Sequence, residues 1–359
     1  MSGFFSMIRG DFVRAVSASD QRTTDATRTD ADPFAEAAAG LRRLNERDLA
    51  RVNEVILDQL QSPVSMIPEL AGHLLESGGK RVRPLLTLSA AGMFDYDGED
   101  HVRLAATVEL IHAATLLHDD VVDGSKLRRG LTTANILWGN KESVLVGDFI
   151  FSRAFELMVS VGKLDVLRVL SRASGVIAEG EVMQLATQKN VDTTFEMYLA
   201  VIEAKTAALF SAAAEVGARV AVDGAAVHDR LASFGANLGV AFQLVDDALD
   251  YGGYESALGK NVGDDFREGK MTLPVVYALD RATAEEKDFW RRTLGEGRQR
   301  DGDLERARAI LDANDALADT FACARRYAER ALDDLAGAPA NTHRDALAAL
   351  AEVSAARTF

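Results

Sequence analysis

Two apolar helical stretches of this chain end in the same acidic pattern, Asp-Asp-x-x-Asp, which is the strongest constraint on its fold. The first copy is formed by Asp119, Asp120 and Asp123, and the second by Asp246, Asp247 and Asp250. Around both copies apolar residues recur every three or four positions, as in an α-helix, and glycines follow, as at many helix ends. The first and third Asp of each copy are four residues apart and share one helix face. The pattern therefore predicts two helices with clustered carboxylates near their C-termini.

Clustered carboxylates at the C-terminus of a helix are unfavourable, by about 0.3–1 kcal/mol each, because the helix dipole is already negative there. One copy could be an ordinary solvated helix end in an acidic protein. Two copies within apolar sequence favour a functional site. Carboxylate oxygens grouped in this way suit Mg²⁺, which binds one or two carboxylates together with water and substrate phosphates. The pattern predicts a diphosphate held through Mg²⁺, between two helices that face each other across a bundle.

The composition excludes several classes of protein. With 359 residues, 48% of them hydrophobic, the chain can bury a large core without disulfide or metal staples. The single cysteine, Cys323, excludes an intrachain disulfide and a cysteine-based zinc site, and a reducing cytoplasm is the expected location. The net charge of −15 argues against binding to nucleic acid. Because no apolar run approaches the roughly 18–20 residues of a membrane span, we expect contact with a membrane at its periphery at most.

Most of the chain shows helical patterns, with few alternating β-branched runs and six prolines in all. The fold class expected is all-α, a large helical bundle. Residues 1–33 are predicted to be a disordered or weakly ordered extension, since Ser17 to Pro33 is dense in Ser, Thr, Asp and Arg. Residues 34–359 are predicted to form a single domain. Among the helices predicted are Leu41 to Leu60, Val102 to Asp123, Leu164 to Gln188, Thr194 to Ala218, Ala226 to Tyr251 and Ala307 to Leu335.

Basic residues stand out in this acidic chain. Lys80, Arg81 and Arg83 follow a glycine pair and precede Pro84, which can open a helix. Such a segment could be an ordinary solvated turn, but cations at a helix N-terminus also suit a diphosphate. Further cations lie near the acidic clusters: Arg128, Arg129, Lys205, Lys260 and Lys270. Together they supply the charge that two anionic substrates would require.

The ordered motifs of the chain resemble those of the all-trans polyprenyl diphosphate synthases, most closely the long-chain branch of octaprenyl to decaprenyl synthases. The segments that carry the resemblance are Leu116 to Asp123, Val146 to Phe149, Glu179 to Val182 and Gly259 to Asp265. The resemblance implies a bundle of the isoprenoid synthase type around a central catalytic cavity, usually in a homodimer. It also implies Mg²⁺-dependent, head-to-tail condensation of isopentenyl diphosphate onto an allylic diphosphate such as farnesyl diphosphate.

The same resemblance assigns roles to individual residues. Asp119, Asp120 and Asp123 match the first metal motif, and Asp246, Asp247 and Asp250 the second. Isopentenyl diphosphate is expected at Lys80, Arg83, His112 and Arg129. The allylic diphosphate is expected at Arg128, Gln184, Lys205, Thr206, Gln243 and Lys260. Short-chain relatives often have glutamine in place of His112; neutral imidazole and amide can each donate one hydrogen bond, which leaves the protonation state of His112 open.

Product length should depend on the depth of an apolar tunnel. Ala114 and Thr115 stand five and four residues before Asp119, where short-chain relatives tend to carry bulky aromatics. Small side chains there predict that the tunnel continues. Phe155, Met158 and Leu170 are expected along its depth, with the last two as the floor, although ordinary core packing explains each of these residues equally well. A quinone side chain is the expected destination of the product, with transient membrane contact on its release.

Other classes of enzyme share parts of this pattern. His118-Asp119 mimics the paired ligands of an HD-type metal phosphohydrolase, which leaves the basic segment and the second acidic cluster unexplained. A terpene cyclase shares the first motif but normally has a different second site, and a head-to-head condensing enzyme has other flanking sequences. A non-catalytic subunit of a heteromeric synthase would have lost metal ligands. Both motifs are intact here, which favours catalysis.

Overall fold

A computed structural model describes residues 33–76, 78–252 and 263–355, and helices dominate these ranges. In chain order the helices are α1 (Pro33–Leu44), α2 (Glu46–Gln59), α3 (Met66–Glu76), α4 (Val82–Gly92), α5 (Asp100–Val122), α6 (Ala134–Leu137), α7 (Asn140–Ser160), α8 (Leu164–Thr187), α9 (Phe195–Ile202), α10 (Ala208–Ala221), α11 (Ala225–Gly252), α12 (Asp264–Glu268), α13 (Leu273–Arg281), α14 (Ala284–Trp290), α15 (Asp303–Ala313), α16 (Ala316–Leu335) and α17 (Thr342–Ser354). The all-α class expected from the sequence is confirmed.

Two kinds of element were not anticipated by the helical periodicity. Strands β1 (Leu127–Arg128) and β2 (Leu131–Thr132) form an antiparallel hairpin directly after the first acidic motif. Glu203–Ala207, between α9 and α10, and Arg291–Gly295, after α14, are π-helical segments. Single-turn π-helices inside α-helices occur often at functional sites. The first of these segments contains Lys205 and Thr206.

Helices α5, α10 and α11 lie at the centre of the bundle. Helix α5 is buried on all sides for most of its length, as expected for a helix without a polar stripe. Small residues let the central helices approach backbone to backbone. A Cβ atom on Gly217 of α10 would lie 2.3 Å from the carbonyl oxygen of Thr87 in α4. A Cβ atom on Gly235 of α11 would lie 2.3 Å from the carbonyl oxygen of Phe210. The first contact holds α10 against α4, and the second holds α11, which carries the second motif, against α10.

Three of the predicted helices are interrupted. The stretch 41–60 divides into α1 and α2 at Asn45, whose amide nitrogen donates to the Leu41 carbonyl and to the Ser89 hydroxyl, both at 2.8 Å. The stretch 307–335 divides at Asn314 and Asp315, where Asp315 has a left-handed backbone with φ of 53°. The stretch 194–218 contains the first π-helical segment. The described structure begins with α1 at Pro33, and residues 1–32 of the predicted extension lie outside it.

Candidate active site

The first acidic motif lies at the end of α5, where Asp123 is the residue that caps the helix. Asp120 is 1% exposed, and the Arg128 guanidinium reaches it from β1. Nη2 of Arg128 donates to Oδ1 at 2.7 Å, and Nε donates to Oδ1 at 3.0 Å and to Oδ2 at 3.2 Å. The amide of Asn135 donates to the backbone carbonyl of Asp120 at 3.0 Å. The hairpin and α6 therefore hold Asp120 in one orientation.

Asp119 is a largely buried carboxylate of this motif with a raised pKa. Its pKa is raised to about 7, mainly by burial and in smaller part by the nearby charges of Glu181 and Asp123. The Lys205 ammonium, 3.8 Å away, opposes this shift. Lys205 makes its shorter contact with Glu181 on α8, at 2.8 Å. Asp119 thus lies in acidic surroundings that Lys205 and Arg128 neutralise only in part.

The second acidic motif lies in the last turns of α11. Asp247 is 4% exposed, and both of its oxygens accept hydrogen bonds, from the Tyr198 hydroxyl at 2.6 Å and from the Gln243 amide at 2.7 Å. The oxygen of the same Gln243 amide accepts from the Thr206 hydroxyl at 2.9 Å. Burial raises the pKa of Asp247 well above its ordinary value, and the charge of Asp265 adds to this effect. Asp250 accepts a hydrogen bond from the Asp265 backbone N–H at 3.1 Å.

Charges placed between the two motifs show that they face the same space. The Lys270 ammonium contacts Asp265 at 3.5 Å and Glu268 at 2.5 Å, and it also interacts electrostatically with Asp123 of the first motif. These acidic partners raise the pKa of Lys270 above its ordinary value although burial lowers it. Arg129, which follows the first motif, interacts electrostatically with Asp246 of the second. The structure therefore brings together the two clusters that the sequence placed 127 residues apart, from Asp119 to Asp246.

Lys205 owes its position to the first π-helical segment. A Cβ atom on Gly180 of α8 would lie 2.8 Å from the Lys205 backbone nitrogen. A Cβ atom on Gly239 of α11 would lie 2.8 Å from the Cα atom of Ala207. The segment is therefore wedged between two glycines, one on each neighbouring helix. This packing directs Lys205 toward the first motif while Thr206 bonds to the helix of the second.

A separate basic pocket forms where α4 begins. The Arg83 guanidinium donates to Nε2 of His112 at 3.0 Å and lies over the Phe210 ring, 4.6 Å from its centroid. Lys80 lies over the Phe34 ring at 4.5 Å. A Cβ atom on Gly79 would lie 2.6 Å from the Arg129 guanidinium, so Arg129 packs directly on this loop. The structure thus gathers the four residues that the sequence assigned to one diphosphate: Lys80, Arg83, His112 and Arg129.

The protonation state of His112 follows from this arrangement. Burial lowers the pKa of His112 well below its ordinary value, and the charges of Arg83 and its neighbouring arginines lower it further. His112 is therefore neutral, and the hydrogen bond from Arg83 makes Nε2 the acceptor and places the ring proton on Nδ1. Burial also lowers the pKa of Arg83, to about 10, which leaves it charged at neutral pH.

Two arginines of the pocket have strained backbones. Arg81 has φ of 50° and Arg129 has φ of 52°, in the left-handed region that residues other than glycine seldom adopt. Arg81 is held by an ion pair with Glu109 of α5. Strain of this kind persists where surrounding contacts over-determine the backbone, and it clusters at functional sites.

The carboxylates fit a divalent cation that is completed by the substrate. Among the described residues no group of three His, Cys, Asp or Glu side chains is arranged to hold a metal ion by itself. The raised pKa values of Asp119 and Asp247 nevertheless mark two crowded, poorly neutralised acidic centres. Mg²⁺ needs only one or two carboxylates when water and phosphate oxygens supply the rest of its octahedron. The donor set therefore suits a metal that arrives with a diphosphate.

The comparisons with known proteins agree with this geometry. The family described as polyprenyl synthetase matches residues 64–311. The octaprenyl diphosphate synthase of Escherichia coli (strain K12) is 45% identical over 320 residues, which are 88% of this chain and 99% of that protein. This chain belongs to the polyprenyl synthetase family. The predicted family and enzyme class, prenyltransferase, are confirmed.

Solved structures of the family resemble the whole described bundle. A polyprenyl synthase from Caulobacter crescentus CB15, in complex with calcium and isoprenyl diphosphate, has a TM-score of 0.86 and 51% identity, covering 89% of this chain and 98% of that one. A decaprenyl diphosphate synthase from Rhodobacter capsulatus has a TM-score of 0.86 and 48% identity, with the same coverage of 89% and 98%.

The alternative of an HD-type phosphohydrolase does not fit this family site. The ring of His118 turns away from the acidic cluster toward α7, where Nε2 lies 3.3 Å from the Val144 carbonyl and 3.4 Å from Asp148. A Cβ atom on Gly147 would lie 2.3 Å from the same ring nitrogen, so His118 is packed against α7. His118 and Asp119 therefore do not converge on one metal position.

The remaining predicted residues are placed in the family fold as follows. Ala114, Met158 and Leu170 are fully buried, and Thr115 and Phe155 are partly buried. The Thr115 hydroxyl donates to the His112 carbonyl at 2.8 Å, and the Phe155 ring lies 5.2 Å from that of Phe151. Their role in a tunnel stays a prediction. Gln184 lies on α8, one turn beyond Glu181, and Lys260 lies outside the described residues.

Four residues that contact the candidate site were missed by sequence reasoning: Glu109, Glu181, Tyr198 and Asp265. Glu181 and Asp265 belong to motifs that carried the resemblance, so their charge could have been used. A buried tyrosine usually finds a partner for its hydroxyl, but the sequence could not show that Tyr198 would find Asp247.

Within the described part of the chain no helix is long and apolar enough to span a membrane.

Proposed function

We propose that this protein is a long-chain all-trans polyprenyl diphosphate synthase that adds isopentenyl diphosphate, head to tail, to an allylic diphosphate such as farnesyl diphosphate. The products are octaprenyl to decaprenyl diphosphate. One observation carries the proposal: two acidic clusters face one space beside a separate basic pocket, as two diphosphate substrates require. The names of the relatives, an octaprenyl and a decaprenyl diphosphate synthase, support a long product.

Mg²⁺ is the proposed metal, and it would be held between the motif of α5, Asp119, Asp120 and Asp123, and the motif of α11, Asp246, Asp247 and Asp250. When bound, it acts as a Lewis acid that stabilises the diphosphate leaving group. The residues themselves position that group. The Lys205 ammonium would bind a diphosphate oxygen in place of its contact with Glu181, which is 2.8 Å away. Arg128 borders the same space and holds Asp120, and Gln184, Thr206, Gln243 and Lys260 complete the proposed allylic diphosphate site.

Isopentenyl diphosphate is proposed to bind at Lys80, Arg83, His112 and Arg129. The neutral ring of His112 can donate from Nδ1 without adding charge, while Arg83 already donates to Nε2. Arginine and lysine side chains on the N-terminal side of α4 suit a diphosphate, since the helix dipole adds positive potential there. Fixed binding in this pocket aims the double bond of isopentenyl diphosphate at the allylic carbon.

The reaction needs no nucleophilic side chain. The allylic carbon–oxygen bond breaks with its electron pair on the diphosphate, and the double bond of isopentenyl diphosphate supplies the electrons of the new carbon–carbon bond. The proton then lost from the adjacent carbon passes to the released diphosphate. The apolar faces of α5 and α7, with Ala114, Leu117 and Ile150 buried, would exclude water that could capture the cation.

The protein is proposed to act as a cytoplasmic homodimer that contacts a membrane transiently when it releases its product, which is destined for a quinone side chain. Support for the dimer comes from large apolar side chains that α7 and α8 leave exposed. Leu145 is 67% exposed, Leu164 is 76% exposed and Val182 is 66% exposed. Apolar surface of this kind is typical of a protein interface. Light scattering on the purified protein tests this, and a monomer at micromolar concentration would contradict it.

Incubation with isopentenyl diphosphate, farnesyl diphosphate and Mg²⁺, followed by chromatography of the products, tests the proposed reaction. Elongation to octaprenyl to decaprenyl diphosphate is expected. Release of phosphate without elongation would indicate a hydrolase, a cyclic hydrocarbon would indicate a cyclase, and inactivity of the protein alone would indicate a partner subunit. Asp119→Ala should abolish elongation with the circular dichroism spectrum unchanged. Asp229→Ala, at the exposed opposite end of α11, is the matched control.

A further inference from the structure

A continuous chain of hydrogen bonds joins three elements at the second acidic motif. The hydroxyl of Tyr198, on α9, donates to Oδ2 of Asp247 at 2.6 Å. The Gln243 amide donates to Oδ1 of Asp247 at 2.7 Å, and its oxygen accepts from Thr206 at 2.9 Å. The chain begins on α9, crosses α11 and returns to the π-helical segment that carries Lys205. We name this chain, Tyr198–Asp247–Gln243–Thr206, the α9–α11 strut.

The two adjacent aspartates of this motif are in different surroundings. Asp247 is 4% exposed, and each of its oxygens already has a protein donor within 2.7 Å. Asp246 is only partly buried and interacts electrostatically with Arg129 on the side of the first motif. A carboxylate that is oriented by two short hydrogen bonds loses both donors if it turns toward a metal. Asp246 has the better access to the space between the motifs.

Tyr198 has no packing reason to carry a hydroxyl. Its ring is buried with Ile202, Leu244 and other apolar residues, which phenylalanine would satisfy equally well. A buried hydroxyl is retained without loss only where it has a partner, and here that partner is Asp247.

We propose that Tyr198 is a positioning residue for the reaction and that Asp247 acts through the α9–α11 strut rather than as a direct metal ligand. The strut holds the π-helical segment against α11, and so it sets the distance from Lys205 and Thr206 to the second motif. This inference rests on the proposed function for the identity of the substrates. Its geometry does not depend on that function.

Tyr198→Phe breaks the strut at its first bond and keeps the packing of the ring. We expect the KM for farnesyl diphosphate to rise about tenfold, the usual effect of one lost hydrogen bond, with the KM for isopentenyl diphosphate unchanged. Tyr277→Phe is the matched control, because Tyr277 packs against the same core and its hydroxyl interacts with Cys323 rather than with Asp247. A fall in melting temperature with both KM values unchanged would make Tyr198 merely structural and overturn the proposal.

Asparagine substitutions separate positioning from metal binding. In Asp247→Asn the side chain can still accept from Tyr198 and donate to Gln243, whose amide turns over and donates to the Thr206 hydroxyl. Asp246→Asn removes the charge that interacts with Arg129 on the side of the first motif. Binding of Mn²⁺ in the presence of inorganic diphosphate, measured by electron paramagnetic resonance, should weaken at least about tenfold in Asp246→Asn and less than about threefold in Asp247→Asn.

Equal losses of Mn²⁺ affinity in the two asparagine variants would make Asp247 a direct ligand and overturn the proposal. Asp247→Ala, which cannot keep the strut, should repeat the KM change of Tyr198→Phe, and Asp247→Asn should largely restore the wild-type value. These readouts also distinguish the strut from the proposed function. If the wild-type protein fails to elongate farnesyl diphosphate, the function fails, while Mn²⁺ affinity still tests the roles of Asp246 and Asp247.

Discussion

At the scale of single residues, the basic pocket depends on one imidazole that stays neutral among arginines. A charged His112 would compete with Arg83 for a diphosphate. It would also repel the Arg83 guanidinium, which lies 3.0 Å from its Nε2 atom. Burial and the charge of Arg83 instead lower its pKa well below the ordinary value. The positive charge of the pocket therefore lies on its arginine and lysine side chains, and His112 contributes hydrogen bonds without adding charge.

The neutral state of His112 makes stability depend on pH. The unfolded chain binds a proton on this histidine near pH 6.5, whereas the folded protein does not, so stability is full above about pH 6.5 and falls below it. From about pH 7.5 to about pH 5.5, we expect wild type to lose roughly 1–1.5 kcal/mol more than His112→Gln. Urea unfolding at constant protein concentration measures the difference. Both proteins keep His343, whose lowered pKa therefore cancels. Parallel pH profiles would contradict a neutral His112.

The pair of Asp120 and Arg128 predicts a second effect at this scale. Arg128→Ala leaves a carboxylate that is 1% exposed without its bidentate partner. We expect a loss of about 2–3 kcal/mol, below the usual 3–5 for a buried pair because the Arg128 side chain is 26% exposed. Arg128→Lys should recover only part of it, since an ammonium cannot form both bonds. A double-mutant cycle with Asp120→Asn measures the coupling in denaturant unfolding, and additive effects would show that the two residues act independently.

At the scale of elements, the first π-helical segment connects fold and site. Gly180→Ala would place a Cβ atom 2.8 Å from the Lys205 nitrogen and 2.9 Å from the Ala204 Cβ atom. The segment must move, and we expect a loss of about 1–3 kcal/mol from overpacking together with a raised KM for the allylic diphosphate. Gly72→Ala on α3, where no atom lies within 4 Å of the added methyl, should instead be neutral or stabilise by up to about 1 kcal/mol. Equal behaviour of the two variants would show that the close approach at Gly180 has no consequence.

Elements with uninterrupted helical periodicity were predictable from the sequence. The predicted stretch Leu164 to Gln188 differs from α8 by one residue at its C-terminal end, and Ala226 to Tyr251 differs from α11 by one residue at each end. The breaks were not predictable, because they arise from contacts between distant residues. Asn45 ends α1 by bonding to Ser89, and the π-helical turn forms where Gly180 and Gly239 admit it. Periodicity reports which face of a helix is buried and cannot report these partners.

At the scale of the whole molecule, the site joins groups from both halves of the chain. Both acidic motifs could be predicted from the sequence because each is a short local pattern. The structure adds the interactions between residues that are distant in the sequence. Lys270 interacts electrostatically with Asp123 of the first motif. Arg129 packs on Gly79 and interacts electrostatically with Asp246 of the second motif. These interactions between distant parts of the sequence set an acidic region beside a basic one, and the proposal assigns one diphosphate to each.

Product length is a property of this assembled bundle. At about 1.5 Å per residue, Ala114 lies about 7.5 Å from Asp119 along the axis of α5. It lies toward the N-terminus of that helix, away from the proposed metal position. If the growing chain passes Ala114, side-chain volume there limits how many isoprene units can be added. We expect the series Ala114→Val, Ala114→Leu and Ala114→Phe to shorten the main product stepwise, with the largest change for phenylalanine. Chromatography of the dephosphorylated products measures the length.

This series of variants distinguishes a role of Ala114 in the tunnel wall from ordinary packing in the core. Because Ala114 is fully buried, overpacking could lower stability by about 1–3 kcal/mol without touching product length. Thermal unfolding of each variant therefore accompanies the product assay, and the smaller valine and leucine steps remain informative if phenylalanine prevents folding. Met158→Ala, at the proposed floor, should act in the opposite sense and lengthen the product. A folded Ala114→Leu enzyme with the wild-type product distribution would remove Ala114 from the path of the chain.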